Sequence, residues 1–394
     1  MFGPVLRWYL QAMHFEETAI QREIRDLARK FAQKELAPIV EHDEATETFR
    51  PELIRKLGEL GLTGLPIPEE NGGAGLGYQE YIAAIEEIAA VNMGYAISIA
   101  VTGLPQIILT QMGSPEQKAK YIPPLAAGRA IGAFGLSEAS SGSDAGSLRT
   151  TARKDGKHYV LNGTKLWISQ GDIADTIIVM ARTGGPGPKG VSAFIVEKGT
   201  PGFRCGKREK KMGCHTSHTM ELVFEDARIP TENLVGGEGQ GFTVAMKALD
   251  GGRITIGAGA LGIARESLRV ARDHARAREQ FGKPIGEFQG ISFMLADMAT
   301  QLDAARLLVQ RAAWLKDNGK PFTVEAAMAK LFATDMAMKV TTDAVQILGG
   351  SGYTQEFPVE RHMREAKVLQ IVEGTNQVQR MIIGREILSR QEAL

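Results

Sequence analysis

The sequence predicts an α+β multidomain chain: an N-terminal helical domain over 13–127, a central β-barrel or sandwich domain over 128–236, and a C-terminal four-helix-bundle-like domain over 237–394. Three observations predict it. Apolar residues recur at helical spacing from residue 16 to about 125. Near Ile131 the texture changes to short strand-like runs separated by hairpin turns. From Gly241 the helical period returns and persists, in long stretches with short connections that suit a bundle.

In the first domain Ile20, Ile24, Leu27 and Phe31 mark one face of a helix that stops before Pro38. Pro51 opens a second, with Leu53, Leu57 and Leu60 inward. Leu65 to Gly75 is a Pro/Gly-punctuated loop, and a helix carrying Tyr81, Ile85 and Ile88 follows, then a long apolar stretch to about Gln111. In the β domain, Arg149–Lys154 and Lys157–Leu161 flank Asp155-Gly156, a two-residue hairpin signal. Asn162-Gly163 predicts another turn, leading into Lys165–Ser169. Further strands are expected at Thr176–Arg182, Val191–Glu197 and Thr219–Glu225. The last domain predicts helices at 242–276, 285–317 and 323–348, with shorter ones near 358–367 and 376–390.

Bulk composition narrows the function. Lysine plus arginine and aspartate plus glutamate number 46 each, so no basic surplus points to nucleic acid. Two cysteines give no disulfide framework and predict a reducing compartment. No apolar run is expected to reach the roughly 20 residues that cross a bilayer. Met1 to Ala12 has neither the flanks of a signal peptide nor the Arg/Ser richness of a transit peptide, and Met13 is the expected start of the fold. A soluble protein is expected, without a membrane partner: cytoplasmic, or in the mitochondrial matrix if eukaryotic.

Two patterns suggest chemistry that their context refuses. Gly257-Ala-Gly259-Ala-Leu-Gly262 matches a dinucleotide-binding fingerprint by letter, but no second strand follows within the next stretch of chain. Small residues that let helices approach closely are the better account. Cys205, Cys214, His215 and His218 lack the close cysteine pair of a zinc site, so no metal is expected.

One stretch stands apart: Lys367-Val-Leu-Gln-Ile-Val-Glu373-Gly374-Thr375-Asn376-Gln377-Val-Gln379-Arg380. A single carboxylate follows the apolar Val368, Leu369, Ile371 and Val372. A helix is expected to begin just behind it, with Asn376 as N-cap and Val378, Met381 and Ile382 as its first apolar stripe. Gly374, lacking a Cβ, lets a ligand approach the backbone. Desolvation would raise the pKa of Glu373 and a helix N-terminus would lower it, so the sequence leaves the sign open.

The run from Ile371 to Arg380 resembles the C-terminal signature of the acyl-CoA dehydrogenase family, and similar motifs follow one another in order from about residue 15 to 390. Phe134-Gly-Leu136-Ser137-Glu138-Ala-Ser-Ser-Gly142-Ser143-Asp144 resembles the family's flavin-binding segment, with Ala139 in place of its proline. Trp167-Ile168-Ser169 resembles the segment whose tryptophan shields one flavin face. Leu65 to Gly75 is similar to the loop near the substrate cleft. Arg278-Glu-Gln280-Phe281-Gly282-Lys-Pro284 and Gln346-Ile-Leu-Gly349-Gly350 resemble segments that reach the cofactor of a neighbouring subunit, and Gln289 matches a further cofactor contact.

The resemblance implies bound FAD, held by these segments together with Thr375 and Gln377, and a homotetramer with shared cofactor sites. It implies Glu373 as the base that takes the α-proton of an acyl-CoA thioester while flavin N5 accepts hydride from the β-carbon. The thioester oxygen would meet the Glu373 N–H and the ribityl 2′-OH, in the manner of an oxyanion hole. Ser143, Asp250, Arg253 and Gly374 would contact substrate. Electrons from the reduced flavin would pass to electron-transferring flavoprotein. His215 replaces an arginine and Val372 a bulky tyrosine common in short- and medium-chain relatives; several helices build the acyl pocket, and a short to medium acyl chain, branched chains included, is expected. The same fold would also serve an acyl-CoA oxidase or a non-catalytic acyl-CoA-binding subunit. Oxygen consumption without an added acceptor would mark the first, and a colourless protein the second.

Overall fold

A computed structural model describes residues 16–389, so Met1 to Ala12 and the expected start at Met13 lie outside the described residues. In chain order the elements are helices α1 (Ala19–Phe31), α2 (Val40–Ala45), α3 (Pro51–Glu59), α4 (Tyr78–Ala89), α5 (Met93–Met112) and α6 (Pro115–Ala126). Strands follow: β1 (Gly132–Gly135), β2 (Thr151–Asp155), β3 (His158–Ser169), β4 (Thr176–Arg182), β5 (Val191–Glu197), β6 (Phe203–Arg208), β7 (Thr219–Pro230) and β8 (Leu234–Val235). The rest comprises α7 (Gly241–Ala277), a small hairpin of β9 (Glu279–Gln280) and β10 (Lys283–Pro284), α8 (Gln289–Asp317), α9 (Thr323–Leu348), α10 (Gly350–Tyr353), α11 (Val359–Leu369) and α12 (Asn376–Ser389).

These elements form two units, each discontinuous in sequence. The β unit contains Lys34–Leu76 and Asn92–Gly252; the helical unit contains the described residues up to Gln33, Gly77–Val91 and those from Arg253 on.

In the β unit eight strands form one mixed sheet in the order β6-β7-β3-β2-β4-β5-β8, with β1 added parallel to β4. Leu161, Ile177, Val179, Phe194, Val196 and Leu222 are fully buried on its core face. That burial is the main force closing the sheet. The hairpin signal works as expected: Asp155 pairs with His158, and Gly156 takes φ +61° in the turn. The second expected turn is absent. β3 runs straight through Asn162-Gly163, where its register against β7 shifts by a bulge. The cause is long-range: a Cβ on Gly163 would lie 2.5 Å from Thr150 Oγ1, and Asn162 hydrogen-bonds Asp226 through both its amide oxygen and nitrogen.

Contrary to the expectation that no apolar stretch is long enough, helix α5 could cross a membrane by length and composition. Of that stretch 78% is buried within the protein, as in a core helix.

In the helical unit α1 packs on α4, and α9 packs against α8, α11 and α12. The buried face of α1 is Gln21, Ala28 and Phe31, whereas Ile20 is half exposed; Leu60, expected inward, caps α3 on the surface. The glycine triplet lies inside α7: a Cβ on Gly262 would meet Glu86 O at 2.3 Å, and one on Gly257 would meet Val309 at 2.9 Å. Close helix packing is its role. Beneath it Glu86 and Glu87 of α4, both buried, meet four arginines. Arg306 donates to Glu86 at 2.6 Å, Arg265 and Arg25 to Glu87 at 2.8 Å, and Arg29 to Glu87 at 3.1 Å. Burial opposes the charge on Glu86, but Arg306, Arg265 and Arg25 hold its pKa down at about 2.

Candidate active site

Between α11 and α12 the backbone makes two successive left-handed residues, Glu373 at φ +55° and Gly374 at φ +85°. For glutamate this conformation costs on the order of 1–2 kcal/mol, so something must hold it. Gln379 Nε2 donates to the carbonyls of Glu373 (3.2 Å) and Gly374 (2.8 Å), and Lys330 Nζ donates to Gly374 O at 3.0 Å.

The residue as a whole is half-buried, but its carboxyl end is enclosed: Oε2 is buried and meets no hydrogen-bond donor. Burial pushes the Glu373 pKa up to about 7, against the opposing charges of Arg253 and Lys330. The sign left open by the sequence is therefore upward. A carboxyl tuned near neutrality in a dry site suits a general base. Tyr78 lies within electrostatic reach of it; the phenol is buried, and its hydroxyl also meets no partner.

Thr375 is the N-cap of α12, since its Oγ1 accepts the Val378 N–H at 3.3 Å. Asn376, expected in that role, is instead buried. Its Oδ1 accepts from Lys330 at 2.7 Å and its Nδ2 donates to Asp335 at 2.6 Å. A tertiary network has claimed the side chain that local propensity would place at the cap. Met381, expected to face inward, is 63% exposed.

In the β unit Phe134 lies on β1 and Leu136 is buried, while Gly142 and Ser143 are exposed. The tight turn at Ala139-Ser140 is closed by reciprocal backbone bonds between Glu138 and Ser141, so it forms without a proline. Leu166 N donates to Ser137 O at 2.9 Å, tying this turn to β3. There a bulge puts Trp167 at φ +65° and leaves its side chain outward, 58% exposed, with Ile168 buried and Ser169 half-buried. Trp167 is thus no core tryptophan. An indole exposed at a strained bulge leaves an aromatic face open for stacking.

Lys165 and Glu138, which no local signal singled out, form a buried ion pair under this segment. A second feature missed from sequence is an open groove of about 770 Å³ lined by Ser143, Gly146, Leu148, Pro188, Phe242 and Met246, among others. Arg182 holds its walls, donating to the carbonyls of Leu148 (3.0 Å), Gly185 (2.5 Å), Gly187 (3.0 Å) and Gly146 (2.8 Å).

The remaining expected site residues are spread over several elements. Asp250 and Arg253 lie three residues apart on α7, half-buried and buried respectively. Arg278, Gln280 and Phe281 are exposed at the β9–β10 hairpin, whose tip puts Phe281 at φ +54° and 94% exposed. Gln289 begins α8; Gln346, Gly349 and Gly350 are exposed at the end of α9, and Gln377 is exposed on α12. His215 sits in a turn, its ring nitrogens facing the carbonyls of Glu44 (3.1 Å) and Lys211 (2.9 Å). Among the described residues no group of His, Cys, Asp or Glu side chains could hold a metal ion.

Comparison with known proteins agrees over residues 18–388. The N-terminal domain of acyl-CoA dehydrogenases matches residues 18–129, the middle domain 133–227 and the C-terminal domain 239–388. A short-chain specific acyl-CoA dehydrogenase of Clostridium acetobutylicum is 48% identical over 95% of this chain and 100% of its own. The structure of butyryl-CoA dehydrogenase from Megasphaera elsdenii superposes with a TM-score of 0.94 at 49% identity, covering 95% of this chain and 100% of that one. A chain in a structure of the electron transferring flavoprotein of Acidaminococcus fermentans also superposes at 0.94, with 51% identity over 96% and 100%.

The fold and the motif order define an oxidoreductase of the flavoprotein type. The chain belongs to the acyl-CoA dehydrogenase family, and it is an enzyme of acyl-CoA dehydrogenation.

Proposed function

We propose that this enzyme converts short-chain acyl-CoA thioesters to trans-2-enoyl-CoA, with Glu373 as the base that removes the α-proton. The observation that carries this is the enclosed Glu373 carboxyl, with an unpartnered Oε2 and a pKa near 7. A carboxylate of ordinary pKa about 4.3 would be a poor acceptor for a carbon-bound proton. Here a dry site makes it more basic, and protonation relieves the cost of a buried charge. The Glu373 N–H would take the thioester oxygen, stabilising negative charge as the α-carbon loses its proton.

We assign the flavin as FAD. When bound, it supplies the two-electron acceptor for the β-carbon. Phe134, Leu136, Ser137, Gly142, Ser143 and Trp167–Ser169 would hold it in the β unit. In the helical unit Arg278, Gln280, Phe281, Gln289, Gln346, Gly349, Gly350, Thr375 and Gln377 would contact FAD, several of them across a homotetramer interface. The strong exposure of Phe281 and Tyr353 supports such an interface. The groove beside Ser143, with Phe242 and Met246, suits the coenzyme A end of the thioester. Asp250 in the β unit, and Arg253 and Gly374 in the helical unit, are proposed as further substrate contacts. The three-domain division at 127/128 and 236/237 belongs to the same reading. So do electron-transferring flavoprotein as acceptor, supported by the similarity to the Acidaminococcus chain, and a soluble location in the cytoplasm or mitochondrial matrix.

The test is anaerobic titration with a panel of acyl-CoAs while following flavin bleaching. Butyryl-CoA should bleach fastest, and Glu373→Gln should slow bleaching by about 10³-fold or more. Bleaching of Glu373→Gln at the wild-type rate would show that another group takes the proton.

A further inference from the structure

We infer that Lys330 is a positioning residue for the reaction: its ammonium fixes the peptide that carries the base and favours the proton-accepting form of the Glu373 carboxyl. This rests on the reading of Glu373 as the base.

Lys330 lies on α9 and is fully buried. Its Nζ donates to Gly374 O at 3.0 Å and to Asn376 Oδ1 at 2.7 Å, one acceptor directly after Glu373 and the other at the start of α12. Taking an ammonium out of water costs several kcal/mol, whereas methionine of similar length would pack in an alanine-rich helix without that cost. A charge kept in such a place invites a functional explanation.

The neighbouring charges supply one. The groups acting on Lys330 are Glu373, Asp335 and Arg253, the first two favouring its charge and the third opposing it. Those acting on Glu373 are Arg253 and Lys330, with the Tyr78 phenol also in reach. Asp335 is already engaged by Arg380 at 2.9 Å and by the amide of Asn376. Glu373 Oε2, by contrast, has no hydrogen-bond donor. Burial drives Lys330 down to about 7 and Glu373 up to about 7, so each needs the other's charge to stay ionised near neutrality. Removing the lysine charge must move the carboxyl further toward its protonated, inactive form.

The experiment is the pH profile of kcat/KM for the holoenzyme and three variants. In Lys330→Met the acid-side midpoint should rise by about half a pH unit or more, with kcat at pH 7 down about 10-fold and KM within about two-fold. Lys330→Arg keeps the charge and should hold the midpoint within about 0.2 pH unit of wild type. Should Lys330→Met not fold, Asn376→Ser tests the same link by weakening the charged state of Lys330, with a smaller rise expected. An unchanged midpoint in Lys330→Met, or in Asn376→Ser where that variant must serve, overturns the inference, because a purely structural anchor lowers thermal stability without moving the midpoint. Glu373→Gln measured alongside separates the two readings. Wild-type bleaching there removes the base itself, whereas a dead Glu373→Gln with an unmoved Lys330 variant removes only the role of the lysine.

Discussion

Lys165 Nζ stands 2.7 Å from Glu138 Oε1 inside the β unit, with the two side chains 0% and 7% exposed. The same ammonium donates to Leu136 O at 3.1 Å, and the carboxylate accepts the N–H groups of Arg149 (2.6 Å) and Thr150 (2.9 Å). Burial drives the lysine down to about 8, while Lys165 holds the Glu138 carboxyl below its ordinary range against burial. Removing one partner strands the other. Lys165→Met should destabilise the protein by about 3–5 kcal/mol in urea unfolding. Because the pair underlies the segment from Leu136 to Ser143, the variant should also lose flavin on gel filtration more readily than wild type.

Glu373 couples activity and stability in opposite directions. Its pKa is raised from 4.5 to about 7, so the folded chain holds a proton that the unfolded chain releases between those values. The stability from that proton is full below about pH 4.5 and is lost as pH rises through about 7. Relative to wild type, Glu373→Gln should gain about 3 kcal/mol between pH 4.5 and pH 8 in urea denaturation. The kcat/KM of the wild type should rise across the same range, because only the carboxylate accepts a proton. A variant with no gain at pH 8 would show that the carboxyl is solvated.

Gly374 has a positive φ, and a Cβ there would lie 2.9 Å from Gln379 Nε2. Gly374→Ala should therefore strain the turn and loosen the amide that holds both carbonyls. The expected cost is about 1–2 kcal/mol in stability. Loss of alignment should lower kcat by about 10²-fold, read in single-turnover bleaching.

Arg182 donates to four backbone carbonyls around the groove. Lysine keeps the charge but lacks the fork that reaches them together. Arg182→Lys should raise KM for acyl-CoA about 10-fold or more. The same variant should leave KM for a truncated pantetheine thioester nearly unchanged, which locates the defect at the coenzyme A end.

Where neighbours in sequence decide structure, the chain is readable. β4, β5 and α9 begin and end as expected, because β-branched runs bounded by glycine, proline and polar residues, or a long Ala/Met-rich period, leave little choice. Where distant residues decide, it is not. Asn162-Gly163 has the letters of a turn, yet Thr150 and Asp226 make it a bulge. Asn376 has the chemistry of a cap, yet Lys330 and Asp335 draw it inward. Glu373 stood out through its motif. Lys330 did not, because a lysine in a helix ordinarily reads as a solvated charge, and only the fold shows what surrounds it.

The pairing of Glu86 and Glu87 with Arg265 and Arg306 has a consequence for how the chain is made. The two carboxylates leave the ribosome long before either arginine, with Asn92–Gly252, the larger part of the β unit, synthesised in between. Until the later helices emerge, only Arg25 and Arg29 are at hand for the pair, so burying α4 is costlier than in the finished fold. Truncations ending before Arg306 should thus aggregate rather than yield a stable fragment, whereas the β unit, complete at Gly252, can condense while translation is still under way.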